Sequence, residues 1–448
     1  MDYIHAEQYL YDLRVRGTKL GLENTRRLLA TINNPQNELV FIHIAGTNGK
    51  GSVTALLNAI FTAAGLKTGV FTSPHLVSLR ERLKINNRVI SPSQFARYTS
   101  RIKNSIEEVT RNGYTPTFFE AVTIMAIDYF HNQAVDIVLW ETGMGGTYDA
   151  TNAVNSVISI ITNVALDHCR FLGDTVDKIA RDKAGIIKPN SHFLTASNDR
   201  AVLEIFQEVC SRQNAVMQAI SESCIHPAAS SSIKQEFDFE GGCERWANIS
   251  TNLTAPYQRK NIALAIHAAL TFFSRHDSGK LYGSAQTFIR KGLMKVKLNG
   301  RFERICSDPP IIVDVAHNPA GIAELKETIL TVFPNKKIAL LIGVLRDKDY
   351  DSICRIIAPI ANVIFCTEPV SERKLSALEL AKTFRLYTKC PVHDSYSAEQ
   401  TLDIFLNNRN NSSADVLLIC GSFYLIGDVL KRRQLTLLKV HDVQSDYR

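Results

Sequence analysis

Short apolar runs, bounded by polar turn residues, alternate along the chain with segments of helical length. An apolar run of about four to eight residues fits a buried strand. Strands that alternate with helices are typical of an α/β fold built on an open, largely parallel sheet. A second series begins near Leu298, so we predict two domains, residues 1–297 and 298–448. The predicted strands are Leu39–Ile44, Lys67–Phe71, Val135–Trp140, Ser156–Ile161, Ile311–Val313, Lys337–Leu345, Asn362–Cys366 and Val416–Cys420.

Two stretches depart from this alternation. The charged stretch Arg80–Asn86 is too polar for a core strand, and we interpret it as a loop. Residues 215–252 combine short alternating runs with serines and paired glycines, which predicts irregular strands and loops. The predicted helices are two within Tyr3–Ile32, then Val53–Gly65, Ser93–Asn112, Thr117–Phe130, one that carries Lys183–Pro189, Tyr257–Phe273, and one that begins at Pro319.

The turn after the first predicted strand, Gly46–Ser52, is rich in glycine. Its glycines let the backbone curl so that amide groups converge on an anion at the positive end of the following helix. Lys50 adds a mobile charge, and Ser52 supplies a hydroxyl that can bind magnesium. We therefore expect a nucleoside triphosphate here. An ordinary glycine-rich turn stays an alternative, because Ile44 and Gly51 depart from the usual P-loop spacing.

Three further predicted strands also end in polar residues. The turn Thr72–Leu76 follows the second strand, Glu141 follows the third, and Asn163–His168 follows the fourth. Open α/β sheets bind ligands at the carboxyl ends of their strands, so these groups are expected to meet in one crevice. Glu141 is a hard oxygen ligand of the kind that magnesium prefers. Taken singly, Glu141 is also explained as a surface acid, and a lone histidine such as His168 is usually structural.

Composition excludes several classes of protein. The chain has 448 residues and a formal net charge of +7, which suits anionic substrates such as nucleotides or oligoglutamate. Nucleic-acid binding is the weaker alternative, because no arginine-lysine block is present. Nine cysteines without a Cys-x-x-Cys pair argue against a disulfide framework and indicate a reducing cytoplasm. We expect no membrane span, and residues Met1–Arg16 lack the apolar core of a signal peptide.

The loop Gly46–Ser52 resembles the ATP loop of the Mur-ligase superfamily, and especially that of its folate branch, the folylpolyglutamate and dihydrofolate synthases. The resemblance covers most of the chain, because further motifs follow in the order typical of this family. These motifs are Thr72–His75, Glu141–Gly146, Asp149–Asn152, Asn163–His168, Lys183–Lys188, Gln258 with Asn261, Arg301, Asp314–Pro319, Gly343 with Asp347–Asp349, and Gly421–Ser422.

The resemblance implies a P-loop-containing parallel-sheet N-terminal domain that binds ATP and folate, and a smaller Rossmann-like α/β C-terminal domain with glutamate and ATP contacts. It implies an enzyme that joins L-glutamate to dihydropteroate, or to reduced folates and their polyglutamates, through an acyl phosphate made with ATP. Both activities are expected, and an enzyme with only one of them is the alternative. The resemblance further implies two magnesium ions, with a potassium ion as an additional candidate, and a cytoplasmic monomer with small-molecule partners only.

The resemblance also implies roles for individual residues. ATP would be bound by Thr47, Asn48, Gly49, Lys50, Gly51, Ser52, Asn261, Arg301 and Asp314. Magnesium would be held by Ser52, Ser73 and Glu141, and a second ion by His168 and a carbamylated Lys183. The catalytic set would be Lys50, Glu141, His168, Lys183 and His317, with Asn318 beside it. Folate would be bound by Ser73, Pro74, His75, Arg82, Phe119, Asp149, Ala150, Thr151 and Asn152.

The sequence departs from the family pattern at three places. Tyr257 stands where histidine is usual, Val315 replaces a usual glycine, and Thr147-Tyr148 replaces a usual arginine-leucine pair. Thr147-Tyr148 borders the pterin turn, Asp149–Asn152, which the resemblance assigns to folate binding, so substrate preference is the prediction most affected by this departure. A cell-wall ligase of the Mur type is disfavoured, because the phosphate loop begins near residue 46. A P-loop binding protein without turnover would not require Glu141, His168 and Lys183 together.

Overall fold

The computed structural model describes residues 1–17, 19–230, 234–242, 244–275, 279–407 and 414–432. The chain divides into two compact units. The first unit comprises Met1–Pro74, Leu79–Leu253 and Gln258–Lys297. The second comprises the stretches His75–Ser78 and Thr254–Tyr257 and the described residues from Leu298 onward. Within the described ranges, no helix is both long enough and apolar enough to cross a bilayer.

The main sheet of the first unit has eight strands. They are β1 (Phe41–Ala45), β2 (Thr68–Phe71), β3 (Leu83–Ile85), β4 (Arg88–Val89), β5 (Ile137–Glu141), β6 (Ser156–Ile161), β7 (His192–Thr195) and β8 (Val216–Ala219). Their order in the sheet is β4-β3-β2-β5-β1-β6-β7-β8. The six strands from β2 to β8 in this order are parallel, whereas β3 and β4 are antiparallel additions. The predicted open, largely parallel sheet is confirmed.

Burial on both faces explains why these strands read as continuous apolar runs. Every residue of β1 and β5 is buried. A parallel sheet is covered on both sides by helices, so its strands lack the alternation of a half-exposed strand. The helices of this unit are α1 (Tyr3–Asp12), α2 (Glu23–Thr31), α3 (Lys50–Ala63), α4 (Pro92–Arg111), α5 (Phe118–Asn132), α6 (Cys169–Leu172), α7 (Val176–Ala184), α8 (Arg200–Gln213), α9 (Gln258–Arg275) and α10 (Ala285–Lys295).

Local capping chemistry fixes several helix starts. Thr117 and Glu120 form a reciprocal capping box at the start of α5. The side chains of Ser91 and Thr175 accept from amide groups in the first turns of α4 and α7. Helix α7 ends at Ala184, so the predicted continuation to Pro189 is wrong. Gly185, which follows α7, has little helix propensity, and Pro189 disfavours a helical residue before it.

Two other sequence predictions need correction. The stretch Arg80–Asn86 is not simply a loop, because Leu83–Ile85 forms β3 and pairs with β2. Leu83 is fully buried, and Arg82 is buried with its guanidinium 5.3 Å from the centre of the Phe118 ring. Residues 215–252 are more regular than predicted. They contain β8 and an antiparallel three-stranded sheet of β9 (Ile225–Ser230), β10 (Gln235–Gly241) and β11 (Glu244–Thr251).

The second unit is a smaller α/β layer structure. Its strands are β12 (Glu303–Ser307), β13 (Pro310–Val313), β14 (Ile338–Ile342), β15 (Ala361–Cys366), β16 (Val392–His393) and β17 (Val416–Cys420), in the order β12-β13-β17-β14-β15-β16. All pairs are parallel except β12 with β13. Its helices are α11 (Pro319–Val332), α12 (Tyr350–Ile357), α13 (Ala377–Arg385) and α14 (Ala398–Asn407), and residues 423–432 are also helical.

Candidate active site

Four of the predicted site segments follow neighbouring parallel strands. Ser73 follows β2, Glu141 ends β5, the Gly46–Ser52 loop follows β1, and Asn163 follows β6. Strand β1 has β5 on one side and β6 on the other, so its carboxyl end is the point where the sheet order switches direction. Open α/β sheets bind ligands at such a point. The topology thus brings these groups of the first unit to one edge of the sheet.

The phosphate loop has a conformation that only glycine accommodates at two positions. Gly46 and Gly49 have φ angles of 146° and 86°. A Cβ atom on Gly46 would lie 1.8 Å from Thr162 Oγ1, and one on Gly49 would lie 2.6 Å from Asn261 Oδ1. Helix α3 begins at Lys50, within the Gly46–Ser52 segment, so its unsatisfied first-turn amides form an anion site.

The residues that follow β6 hold this loop in place. The Asn163 carbonyl accepts from the Thr47 amide at 3.1 Å, and Asn163 Oδ1 accepts from the Asn48 amide at 2.9 Å. The Thr47 hydroxyl donates to the Ala165 carbonyl at 3.1 Å. Asn163 belongs to one of the predicted motifs, but no role was predicted for it from the sequence. Its position directly after a strand neighbouring β1 is the signal that could have revealed it.

Lys50 and Ser52 lie at the start of α3. The Lys50 ammonium donates to the Gly46 carbonyl at 2.9 Å and to the Thr47 carbonyl at 3.3 Å, so the charge lies against the loop's own main chain. The buried Ser52 hydroxyl accepts from Gln258 Nε2 at 3.3 Å, and Gln258 Oε1 accepts from Asn261 Nδ2 at 2.9 Å. The pair at the start of α9 thereby supports the loop from one side.

A hard-oxygen donor set suitable for magnesium lies at the ends of β1, β2 and β5. Glu141 is buried at 3% exposure, Ser52 is buried at 1%, and the Ser73 hydroxyl donates to the Thr142 carbonyl at 3.4 Å. Among the residues that the structure describes, no group of three or more His, Cys, Asp or Glu side chains could hold a metal ion. Magnesium commonly keeps several waters and uses substrate phosphates with one or two carboxylates, so this sparse donor set fits it.

Lys183 is a buried amine beside the phosphate loop. Its side chain lies in the last turn of α7 and is 3% exposed. Burial, together with the Lys50 charge, lowers the pKa of Lys183 to about 7, although the carboxylates of Asp182, Asp167 and Asp149 oppose that change. Near neutral pH, a large fraction of this amine is therefore uncharged. The uncharged amine is the nucleophilic form, so a larger fraction of Lys183 than of an exposed lysine can take part in covalent chemistry at this pH.

His168 lies in a short connection between β6 and α6. Its φ angle is 53°, and its side chain is exposed. The His168 amide donates to Asp167 Oδ1 at 2.8 Å, and Nε2 lies 3.9 Å from Asp167 Oδ2. The same Asp167 carboxylate acts electrostatically on Lys183. The loop after β6 thus brings His168, Asp167 and Lys183 into one electrostatic neighbourhood.

The predicted pterin turn is organised by Asp149. This carboxylate is buried, and burial raises its pKa, while it accepts from the Met144 amide at 2.8 Å and from the Thr151 amide at 3.0 Å. Asn152 Nδ2 donates to the carbonyls of Thr147 and Gly185, each at 3.0 Å. Ala150 is also buried. The side chains of Asp149 and Asn152 therefore fix the backbone of the turn through hydrogen bonds to its main-chain groups.

Aromatic and cationic groups lie next to this turn. The half-buried Phe119 ring lies against the backbone of Gly143 and 6.0 Å from the Phe71 ring. Arg82 lies over the neighbouring Phe118. Pro74 ends the first segment of the first unit, whereas His75 begins a stretch that belongs to the second unit. Thr147, one of the noted departures, donates to the Asp182 carbonyl through both its amide and its hydroxyl.

The predicted ATP contacts of the second unit surround a second buried aspartate. Asp314 Oδ2 accepts from the Tyr257 hydroxyl and from the Phe302 amide, each at 2.8 Å, and Oδ1 accepts from the Ala316 amide at 2.8 Å. Burial raises the pKa of Asp314, and the nearby Arg301 charge opposes this change. Tyr257, another departure, is thus a hydrogen-bond donor to a predicted site residue.

The remaining predicted groups of this unit follow β13. His317 Nδ1 lies 2.8 Å from the Val315 carbonyl, and its ring packs edge-on against Phe423 at 5.4 Å. The Arg301 guanidinium lies 5.0 Å from the centre of the same Phe423 ring. Asn318 caps α11 by accepting from the Gly321 amide at 2.8 Å. Phe423 therefore lies between two predicted site residues that sequence reasoning did not connect.

Comparison with known proteins identifies relatives along the whole chain. Residues 44–269 match the family model described as Mur ligase middle domain, and residues 300–423 match the model described as Mur ligase, glutamate ligase domain. A Bacillus subtilis protein named dihydrofolate synthase/folylpolyglutamate synthase is 31% identical over 96% of this chain and 99% of its own length.

Solved structures with the same fold contain nucleotides. A Mycobacterium tuberculosis folylpolyglutamate synthase complexed with ADP and AMPPCP has a TM-score of 0.87 and 28% identity, and the match covers 96% of this chain and 99% of that one. A bifunctional folylpolyglutamate synthase/dihydrofolate synthase with Mn, AMPPNP and L-glutamate bound has a TM-score of 0.79 and 25% identity, with coverage of 96% and 98%.

Proposed function

Because the chain belongs to the folylpolyglutamate and dihydrofolate synthase branch of the Mur ligase family, we propose that it ligates L-glutamate to dihydropteroate and to reduced folates with ATP. The observation that carries the proposal is the buried Lys183 amine, which lies within electrostatic reach of Lys50 in the phosphate loop. A nucleotide-binding protein without turnover needs the loop but has no use for a buried amine beside it.

The chemistry begins with an unreactive acceptor carboxylate. One of its oxygens attacks the γ-phosphorus of ATP, the bond from that phosphorus to the β-γ bridging oxygen breaks, and ADP leaves. The amine nitrogen of glutamate then attacks the acyl carbon, orthophosphate leaves, and the nitrogen loses a proton to solvent. Transfer between two anions depends mainly on positioning and charge neutralisation, which the loop amides and Lys50 supply.

Divalent cations are part of the proposal. Ser52 or Ser73, with Glu141, would hold one magnesium ion, and His168 with a modified Lys183 would hold a second. Bound magnesium neutralises phosphate charge during transfer. The side-chain oxygens of Ser52, Ser73 and Glu141 at the ends of β1, β2 and β5 support the first of these assignments. A potassium ion stays an additional candidate that no described contact requires.

We infer that Lys183 is carbamylated. An uncharged amine attacks carbon dioxide and loses one proton, which gives a carbamate with a single negative charge. The pKa of about 7 makes this reaction available near neutral pH, and cations next to the carbamate would preserve it. Lys188 is a matched control, because burial also lowers its pKa, to about 8, while its amine is held by Asn152.

The carbamate has a direct test. We expect protein equilibrated with ¹³C-labelled bicarbonate to show one carbamate carbon resonance, absent from Lys183→Ala and present in Lys188→Ala. Lys183→Ala should also lose turnover and partly recover it with short carboxylic acids. Full turnover of Lys183→Ala, or a carbamate signal that persists in it, would remove the modification from the mechanism.

The remaining assignments divide by substrate. Loop residues Thr47–Ser52 and Asn261 would contact ATP, and Arg301 and Asp314 would contribute further ATP contacts from residues 298–448. His317, with Asn318, would act near the incoming glutamate. The folate-binding set would comprise Ser73, Pro74, His75, Arg82, Phe119 and the Asp149–Asn152 turn. The aromatic ring of Phe119 beside that turn supports a stacked heterocycle.

Form and location complete the proposal. We propose a monomer in the cytoplasm that uses small molecules only. Eight cysteines of the described residues are free thiols, which supports a reducing compartment. Sedimentation of the purified chain with ATP and folate would test the monomer, and a stable dimer would contradict it.

Orthophosphate release tests the function itself. Purified protein is supplied with ATP, magnesium and L-glutamate, and dihydropteroate is compared with tetrahydrofolate as the acceptor. Release with both acceptors, dependent on glutamate, is expected for the bifunctional enzyme. Release with one acceptor assigns a single activity, and release with neither, from folded protein, supports a binding protein without turnover. Product mass identifies the added glutamate in each case.

A further inference from the structure

Three polar side chains form a row inside the main sheet of the first unit. Trp140 on β5, His43 on β1 and Ser159 on β6 are in register with one another across the three neighbouring strands. All three are fully buried, and every other residue of β1 is apolar. A buried polar group needs a hydrogen-bond partner, because it has left its water behind.

Each member of this row donates a hydrogen bond to a loop of the candidate site. Trp140 Nε1 donates to the Thr151 carbonyl at 2.9 Å, and the Ser159 hydroxyl donates to the Ile186 carbonyl at 2.7 Å. His43 Nε2 lies 2.9 Å from the Thr151 hydroxyl. In-register residues of β5 and β1 therefore hold the carbonyl and the hydroxyl of a single turn residue, Thr151.

The direction of the His43 contact follows from its neighbours. The Thr151 hydroxyl has one proton, which it donates to Asp149 Oδ1, so it must accept from His43 Nε2–H. Burial, with the Lys188 charge, holds the pKa of His43 well below its usual value, so the ring is neutral and its one proton is on Nε2. His43 Nδ1 has no partner among the described residues, so the ring makes one hydrogen bond.

The hydrogen bonds that begin at His43 end in the backbone of residues 143–152, which we call the acceptor turn. Asp149, fixed by Thr151, holds the Met144 amide at 2.8 Å. Asn152 donates to the Gly185 carbonyl at 3.0 Å, which joins this turn to the segment after Lys183. Thr151 belongs to the acceptor turn, so a change at His43 acts on that turn directly and reaches the Met144 amide through Thr151 and Asp149. No described hydrogen bond joins His43 to the phosphate loop.

We propose that His43 is a positioning residue that, through Thr151 and Asp149, holds the acceptor turn in the conformation that binds the pterin substrate. Trp140 on β5 also holds Thr151 of this turn, and Ser159 on β6 holds the Ile186 carbonyl in the segment that follows α7. The inference rests on the proposed function, because it assigns the acceptor substrate to this turn. It predicts that the row controls acceptor binding and leaves ATP binding unaltered.

Three variants test the inference by steady-state kinetics. His43→Leu removes the donor at similar volume, and we expect the acceptor KM to rise about 10-fold while the ATP KM is unchanged. His43→Gln keeps an N–H donor and should recover most of the loss. Trp140→Phe removes only the indole N–H, and a smaller rise in the same KM is expected, which provides a second test if His43→Leu does not fold.

A control separates positioning from general loss of packing. Thr328→Val removes a buried hydroxyl on α11 that donates to the Glu324 carbonyl, and it should leave the acceptor KM unchanged. An unchanged acceptor KM in folded His43→Leu, an equal rise in both KM values, or no recovery in His43→Gln would overturn the inference. Absence of turnover in the unmodified protein would instead overturn the proposed function, and this assignment with it.

Discussion

Two buried aspartates organise turns in the two units, and they obtain their partners in different ways. Asp149 is held by the amides of Met144 and Thr151 and by the Thr151 hydroxyl, all within five residues of it. Asp314 is held by two amides and by the hydroxyl of Tyr257, which lies 57 residues away in the chain. The direct partners of Asp149 all come from its own turn, although His43 and Trp140 on neighbouring strands hold Thr151 in place. Asp314 takes one of its direct partners from a distant part of the chain.

Two equally buried carboxylates therefore differ in how far their hydrogen bonds depend on the rest of the fold. Burial raises the pKa of both carboxylates, and both replace lost water with N–H and O–H donors. A local partner is present as soon as the turn forms. A distant partner is present only after β13 and the Thr254–Tyr257 stretch have packed in the second unit. The proposed roles differ as well, since Asp149 belongs to the acceptor turn and Asp314 to the ATP contacts.

The largest expected effect is that of Asp314→Asn. The amide cannot accept at both of its heavy atoms, so at least one of the three donors now on Asp314 is left buried without a partner. We expect kcat/KM for ATP to fall about 100-fold, which corresponds to about 2.7 kcal/mol. Steady-state kinetics with ATP varied measures this. If kcat/KM for ATP is unchanged while the acceptor KM rises, the proposal that the Asp314 turn serves ATP and the Asp149 turn serves the acceptor would be contradicted.

Asp149→Asn should produce the converse pattern. The Met144 amide or the Thr151 donors would then face an amide nitrogen, and the acceptor turn would loosen. We expect the acceptor KM to rise about 10-fold, with the ATP KM unchanged. The same assay with acceptor varied gives the value. If both variants raise the same KM, the two turns act as one site and the comparison fails.

Tyr257→Phe removes only the distant partner of Asp314 and leaves the carboxylate in place. One hydrogen bond to a charged group is lost, and we expect the ATP KM to rise about fivefold. Tyr257→His restores a donor of the type usual in the family and should reduce that rise. Thr251→Val, which removes another buried hydroxyl in the first unit, is the control. Identical kinetics for Tyr257→Phe and the unmodified protein would show that the distant partner is dispensable.

The smallest expected effect is that Asp149 and Asp314 titrate at a higher pH than ordinary aspartates do. Both pKa values are raised by burial, so each carboxyl carbon should titrate above the usual aspartate range of about 3.9. The folded state then binds the proton more tightly than the unfolded state. Each group contributes stability that is present below its unfolded pKa and is lost as the pH rises through its folded pKa. Carbon-13 NMR of labelled aspartate measures this, and ordinary titration of both would contradict it.

The strands were the most predictable part of the fold. Parallel strands buried on both faces must be apolar, and β6 and β17 match the predicted runs Ser156–Ile161 and Val416–Cys420. Strand β3 was missed, because its charged neighbours lie on an antiparallel edge where only Leu83 is fully buried. The regular pairing of β9, β10 and β11 was missed because short alternating runs do not specify which strand pairs with which.

The sequence predicted which strand ends carry the candidate site residues, but it did not predict the contacts that hold those residues in place. A loop at the carboxyl end of a parallel strand is placed by topology, so Gly46–Ser52, Ser73 and Glu141 meet at one edge as expected. The partners that hold them are set by three-dimensional contacts. In the sequence, His43 is a single polar residue within an apolar run, and Tyr257 is a tyrosine where the family usually has histidine. Neither position reveals its hydrogen bond in the sequence.

The polar row inside the main sheet also constrains how this protein can be redesigned. An algorithm that rewards apolar interiors would replace His43 and Ser159 with aliphatic residues, since both are fully buried. A variant of this kind can unfold at a higher temperature than its parent, because well-packed apolar groups often replace buried polar ones without loss of stability. It would nevertheless lose the donors that reach Thr151 and Ile186. If the row has the role proposed above, screening for thermal tolerance alone would select against substrate recognition without registering the loss.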